Sequence, residues 1–357
     1  MDLKTVAQNV RRMRLAKDMS QKNLAEASGV SVPAIKGLEM AKGETRTNTL
    51  VLVARGLGVT FRELLQPARA LHAVRFRYDG KLRSRENILA RVAAWLEDYL
   101  LLEKLVSDRR SLTMESAIHS TSLAAAMCRR KLKIRGGEPI HDICGLLEDA
   151  GVKVYPLCID SAGFRSLSVA EKDGGPAIVV NASGRTTVEE RIFAVARELG
   201  HLMLHPGSYN VAETAVNEEE ERQATLFASY LLMPDKAFRR EWNNASGLPQ
   251  VERLLRVKRI FRVSYRTVLD RIVEYGAALD IERRNGYLRG YQRLFAQASR
   301  FNEEPERLRD PDFMVVRRAG LVRKALEKGK VSVGRGAELL GISHSDMHAL
   351  MEEWGVW

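Results

Sequence analysis

The segment Ala196-Arg197-Glu198-Leu199-Gly200-His201 limits the folds open to these 357 residues more than any other stretch. It lies in a run from Thr187 to His205 whose apolar positions recur at helical spacing. Thr186 or Thr187 can cap that helix, and Glu189 and Glu190 fall in its first turn, where the helix dipole favours carboxylates. Residues four apart share a helix face, so Arg197 and His201 lie one above the other with Glu198 offset beside them. The spacing is one substitution away from His-Glu-x-x-His, in which two imidazoles hold zinc and the glutamate activates a bound water. Arg197 stands at the first donor position with a permanent charge and no lone pair. The chain must bury this helix and either replace the lost donor or work without metal.

Composition narrows the setting. An apolar fraction of 45% with 29% charged residues is that of a soluble globular protein, and the length allows two or three domains. A formal charge of +12 favours a polyanionic partner. No uninterrupted apolar run approaches the roughly 18 residues of a membrane span, so no membrane partner is expected. Cys128, Cys144 and Cys158 form neither an even set nor a closely spaced pair, which fits free thiols in a reducing compartment. The expected location is cytoplasmic and nucleoid-associated.

Residues 1–68 divide into five short helical segments. Val6, Val10 and Met13 form an apolar stripe, with Arg11, Arg12 and Arg14 expected to face outward. Ser20 caps a second helix from Gln21, Gly29-Val30-Ser31 makes a tight turn, and Ser31 caps a third helix to Met40. Asn48 precedes a fourth helix through Leu57, and Phe61 to Leu65 closes the bundle. Two short helices across a glycine turn are the helix-turn-helix geometry, whose second helix enters the major groove.

Beyond this module, Arg75-Phe76-Arg77 reads as a polar connection, and residues 85–133 read as long helices with Trp95 in their core. The basic run from Arg129 to Arg135 reads as solvated surface. A helix from Ile140 to Ala150 precedes strands at Val152–Tyr155 and Ala177–Asn181. A second helix, Glu221 to Leu232 ahead of Met233-Pro234, can supply a carboxylate to the Glu198 helix. The arginines between Arg253 and Arg266 read as a charged face over a core face. At the end, Val331 to Arg335 leads into Gly336 to Ser343, and His344 to Glu353 reads as another helix, together like a second, minimal helix-turn-helix. Leu339, Leu340, Met347 and Leu350 are there a candidate partner face.

The spaced positions Ser20-Gln21, Leu24-Ala25, Gly29-Val30-Ser31, Ile35 and Leu38-Glu39 resemble the XRE/Cro-type repressor family. The resemblance implies double-stranded operator DNA as partner, a homodimer, and DNA contacts from Gln21, Lys22, Ser31, Val32, Pro33, Lys36 and Arg46, with the early arginines near phosphate. Arg191 to Pro206, the strand ending at Asn181, and Phe227 to Pro234 resemble the ImmA/IrrE metallopeptidase-like family over roughly residues 115–275. That resemblance implies a zincin-like domain in which Glu198 is the general base, with His201 and Glu221 as zinc ligands. Arg197 departs from it and marks a degenerate site. We expect Arg197 to replace the metal charge, forking to Glu221 or Glu198.

The fold expected is mainly α with a small α+β domain. It comprises an N-terminal five-helix bundle (1–68), a helical connector (69–114), a peptidase-like domain (115–275) and a helical C-terminal region (276–357). The function expected is a sequence-specific regulator of the bacterial or phage type with no cofactor. Its degenerate domain would serve sensing of a small-molecule or protein effector, dimerisation or partner binding. The alternative is a zinc metallopeptidase that cleaves a repressor, itself or a partner.

Overall fold

The computed structural model describes residues 3–42, 46–59, 61–65, 70–78, 85–112, 120–159, 163–212, 217–274, 289 and 306–356. It is mainly helical with one four-stranded sheet. The chain forms two compact units: Met1–His72 with Lys81–Ser107 and Leu321–Trp357, and Ala73–Gly80 with Asp108–Gly320. The order of segments along the chain is therefore not the order of the units.

In the first unit, α1 (Leu3–Ala16), α2 (Gln21–Ser28), α3 (Val32–Glu39), α4 (Thr47–Leu57) and α5 (Phe61–Leu65) form the expected bundle. Ser20 and Asn23 cap α2 reciprocally: each backbone N–H donates to the other side chain at 3.0 Å. Gly29, at φ 69°, takes the left-handed conformation that stops α2 and turns the chain into α3. Leu24, Ile35, Leu38, Leu50, Val53 and Leu57 close the core between them. Helix α6 (Arg85–Val106) packs on α1 and buries Trp95, as its spacing predicted.

Arg14 does not face outward. Its Nε and Nη2 meet the two Glu39 oxygens at 2.5 and 2.9 Å, and its Nη1 donates to the Met19 carbonyl at 2.7 Å. The apolar stripe of α1 does not reveal this, because the partner lies 25 residues away. Arg11 and Arg12 pair with Glu86 and Glu97 on α6.

The second unit holds β1 (Val74–Tyr78), α7 (Thr121–Lys131), α8 (Ile143–Ala150), β2 (Lys153–Leu157), β3 (Phe164–Val169) and β4 (Ala177–Asn181). The helices α9 (Val188–Leu204), α10 (Glu218–Leu232), α11 (Asp235–Asn244), α12 (Gln250–Phe261) and α13 (Tyr265–Glu274) follow. Strand order is β1-β3-β4-β2, with only β2 and β4 parallel. The stretch read as a polar connection is thus an edge strand. Its register sets Arg75 opposite Ser168 and Arg77 opposite Ser166, and since side chains alternate along a strand, these four lie on one face.

Helix α9 packs on β3, β4 and α10. Thr187 and Glu190 cap it reciprocally, and Gly200 lets α10 approach, since a Cβ there would lie 2.9 Å from the Phe227 ring. The basic stretches expected on the surface are partly structural. Arg129 is buried and donates to the carbonyls of Leu231 and Glu138. Lys258 is buried on Glu189 at 2.9 Å, and Arg253 stacks on Trp242. Cys128 and Cys144 are buried free thiols, and burial pushes Cys128 up to about 12.

Helix α14 (Arg317–Glu327) leads back to the first unit, where α15 (Val333–Leu340) and α16 (His344–Trp354) form the hairpin. Ser332, Gly341 and Ser343 stand at the same intervals as Ser20, Gly29 and Ser31, and Gly341 is likewise left-handed at φ 71°. Leu339 and Met347 are fully buried within the chain. They therefore belong to this unit's core, and the partner face expected there loses its centre.

Removing one member of a buried ion pair typically costs about 3–5 kcal/mol, whereas replacing both by apolar groups is often neutral. The variant Arg14→Met should destabilise the first unit by about 3 kcal/mol, and adding Glu39→Leu should restore most of that. Denaturant unfolding of both variants checks the pair; equal midpoints for Arg14→Met and the unsubstituted protein would contradict it.

Candidate functional sites

The helix-turn-helix presents an exposed face. Ser31, Val32, Pro33, Ala34 and Lys36 are exposed along α3, and Val32 retains 40% of its surface. Ser31 occupies the N-cap position but its side chain makes no capping bond, which leaves the hydroxyl outward. Lys22 is exposed, 3.9 Å from Glu26, and Arg46 is exposed ahead of α4. Gln21 is committed elsewhere: its Nε2 donates to Glu39 at 2.8 Å. Helix α16 holds the same place in its hairpin, yet carries Asp346, Glu352 and Glu353 and neither lysine nor arginine. Phosphate contact needs positive charge, so the two hairpins share geometry and differ in electrostatics.

The second site is built in the other unit from β1, β3, α9 and α10. Helix α9 brings Arg197, Glu198 and His201 together, and all three are buried. Both Glu198 oxygens are occupied: Ser166 Oγ donates to Oε1 and Ser168 Oγ to Oε2, each at 2.7 Å. Tyr209, whose phenol burial pushes well above its ordinary range, lies 2.9 Å from Ser168 Oγ. Because Ser168 Oγ gives its one proton to Glu198, the Tyr209 hydroxyl is the donor to Ser168, in a chain of hydrogen bonds from Tyr209 through Ser168 to Glu198. A parallel chain starts at Arg197, whose Nη2 donates to Ser166 Oγ at 2.8 Å and stands 3.5 Å from Glu198 Oε1.

Glu221 comes from the first turn of α10. Its Oε1 stands 3.1 Å from His201 Nε2, within ion-pair reach. Arg77 donates to its Oε2, and Arg75 Nη2 stands 3.4 Å from Oε1. Burial alone would raise the Glu221 carboxyl. His201, Arg197 and Arg77 overcome that and hold it well below the usual carboxylate range. Of the two partners expected for Arg197, it reaches Glu198, through one nitrogen and beside Ser166, and does not fork to Glu221; Arg77 is the near counter-ion of Glu221, and Arg75 bridges Glu220 and Glu221.

His201 and Glu221 stand as close as two ligands of one ion would, since zinc bonds of about 2 Å put neighbouring tetrahedral donors roughly 3.3 Å apart. The third donor is missing. Arg197 supplies a cation in its place, and Arg77 already engages the second Glu221 oxygen. His205 does not substitute. Its Nδ1 meets the opposite ring nitrogen of His201, Nδ1, at 3.1 Å, and its Nε2 faces Gln223 at 2.9 Å. Among the described residues no three His, Cys, Asp or Glu side chains converge to hold a metal. The residues present do not suit a catalytic zinc, which takes three protein donors and an open fourth position.

Sequence reasoning located Glu198, His201 and Glu221, and missed Arg75, Arg77, Ser166, Ser168 and Tyr209. One signal was available. Val74, Phe76 and Tyr78 alternate with Arg75 and Arg77 at the period of a strand.

Comparison with known families covers a segment of each unit. Residues 10–64 match the helix-turn-helix family and residues 147–273 match the IrrE N-terminal-like domain. The chain thus joins the two modules that its motifs led us to expect. No curated protein matched the chain in a search. Strand β1, with Arg75 and Arg77, lies outside both matched segments.

The variant Arg197→His restores the third donor. It should retain about one equivalent of zinc after dialysis where the unsubstituted protein retains none, as read by elemental analysis; equal zinc in both would refute the fit argument. The depressed Glu221 carboxyl also sets a pH dependence. Its ionisation adds stability above the unfolded value of 4.5 and loses it as pH falls toward the folded value. Thermal midpoints should therefore drop on acidification below about pH 4.5, and less so in Glu221→Gln.

Proposed function

We propose that this protein is a sequence-specific DNA-binding transcriptional regulator, and that its degenerate peptidase-like domain serves regulation without cleavage. The exposed Ser31–Lys36 face of α3 carries the first half of this reading. An α-helix of that size fits the major groove, with side chains at its start reaching base edges and Lys36 reaching phosphate. Lys22 and Arg46 add phosphate contacts that fix register without carrying sequence information. A homodimer on a two-fold symmetric operator follows from the usual use of this motif. The net charge of +12 supports attraction to DNA.

The saturated Glu198 carboxylate carries the second half. A general base must reach the water it activates, and here both oxygens already accept hydrogen bonds from serines. Arg197 supplies the positive charge that a zinc ion would bring, and no zinc is required for the network to balance. Sensing, dimerisation or partner binding is then the role of the domain.

A second reading is supported by the 3.1 Å approach of His201 and Glu221, which keeps two donors at ligand spacing. On that reading the protein is a zinc metallopeptidase that cleaves a repressor. Loss of repressor cleavage in Glu198→Gln would favour it, and unchanged transcriptional control in that variant counts against it.

Selection of DNA fragments by the full chain should return a symmetric site. The variant Lys36→Ala should weaken binding about equally for all sequences and lower the slope of log affinity against log salt by about one. Failure to enrich any site would overturn the regulator reading.

A further inference from the structure

Beside Arg197 the second unit has a cleft of about 290 Å³ whose ionic lining is three guanidiniums, Arg77, Arg165 and Arg197, against one carboxylate, Glu190. That carboxylate is committed, since its Oε2 accepts the Thr187 N–H in the cap of α9. Thr186, Ser264 and Thr267 add hydroxyls, and Phe193 forms an apolar wall. Arg197 is the telling residue. It retains 7% of its surface, and among the described residues its contacts to Ser166 and Glu198 are both made by Nη2. Arg77 spends Nη1 on Glu221. The first turn of α9 borders the cleft through Glu190 and adds the positive end of a 17-residue helix.

We infer that this cleft binds a small oxyanion, a carboxylate or a phosphate, held by the guanidiniums of Arg197, Arg77 and Arg165, with Phe193 covering its uncharged part. The inference rests on the regulatory reading above and names its ligand. Guanidinium forks match the planar geometry of such groups and give bidentate contacts. The volume lies at the small end of ligand cavities, which run from roughly 300 to 1,000 Å³, so the ligand is smaller than a nucleotide cofactor. The substitution that removes the zinc donor thereby supplies the central donor of an anion receptor. Binding there engages Arg77 and Arg197 together, the two cations nearest Glu221 and Glu198.

The test is isothermal titration calorimetry of the full chain with inorganic phosphate and, separately, with acetate, in a low-salt buffer free of other oxyanions. One of the two should bind saturably at one site per chain; phosphate alone identifies a phosphate ligand and acetate alone a carboxylate. Affinity should fall at least about tenfold in Arg197→Gln. Arg165 is exposed, so Arg165→Ala, its fold checked by circular dichroism, should weaken binding by several-fold even if Arg197→Gln misfolds. Saturable binding of neither anion, or binding unchanged in both variants, overturns the inference. The same preparations are assayed on the selected DNA site. Intact DNA binding without anion binding sinks only the cleft proposal, whereas loss of any DNA site sinks the regulator reading whatever the calorimetry returns.

Discussion

Two carboxyl groups, the buried Glu198 on α9 and the partly buried Glu221 on α10, set the terms for the second unit, because such groups in a packed interior are tolerated only when paired and hydrogen-bonded. The pairing of β1 with β3 supplies what they need. Arg75 and Arg77 stand across from Ser168 and Ser166, so one sheet face delivers two cations to Glu221 and two hydroxyls to Glu198. A slip of β1 by one residue in that register would turn Arg75 and Arg77 to the other face, away from Ser166 and Ser168. The network is therefore as much a property of sheet register as of the helix that carries its best-known motif.

This explains which parts were legible in the sequence. Helix α9 was readable from its cap to its end, because Thr187, Glu190 and the apolar spacing are local signals. Glu221 could be placed through the resemblance and was found facing His201. The serines and arginines were not, since their roles depend on strands that meet only in the fold. β1 is five residues long and bears two charges, which hides its alternation behind the look of a linker. Arg14 was misplaced for the same reason: a charged residue beside an apolar stripe reads as solvated until a distant Glu39 is known to lie opposite.

The two glycine-turned hairpins of the first unit teach a related lesson. Their caps and left-handed glycines are nearly superposable in chain spacing. Such geometry is inexpensive to encode, needing two serines and a glycine. What separates them is the outward chemistry of the second helix: α3 offers Lys36 and small side chains, and α16 offers carboxylates. Surface charge, more than backbone shape, decides which hairpin suits a phosphate backbone.

The route of the chain has one more consequence. Residues 73–80 belong to the second unit, while the segments on either side of them belong to the first. Neither unit is a contiguous stretch, and no single cut separates them. A fragment spanning only the segment matched to the IrrE N-terminal-like domain, residues 147–273, would lack β1 and both of its arginines. It would keep a partly buried Glu221 stripped of the cations provided by Arg75 and Arg77. The matched segment is thus smaller than the unit whose electrostatics it belongs to, and a fragment of the second unit must include residues 73–80.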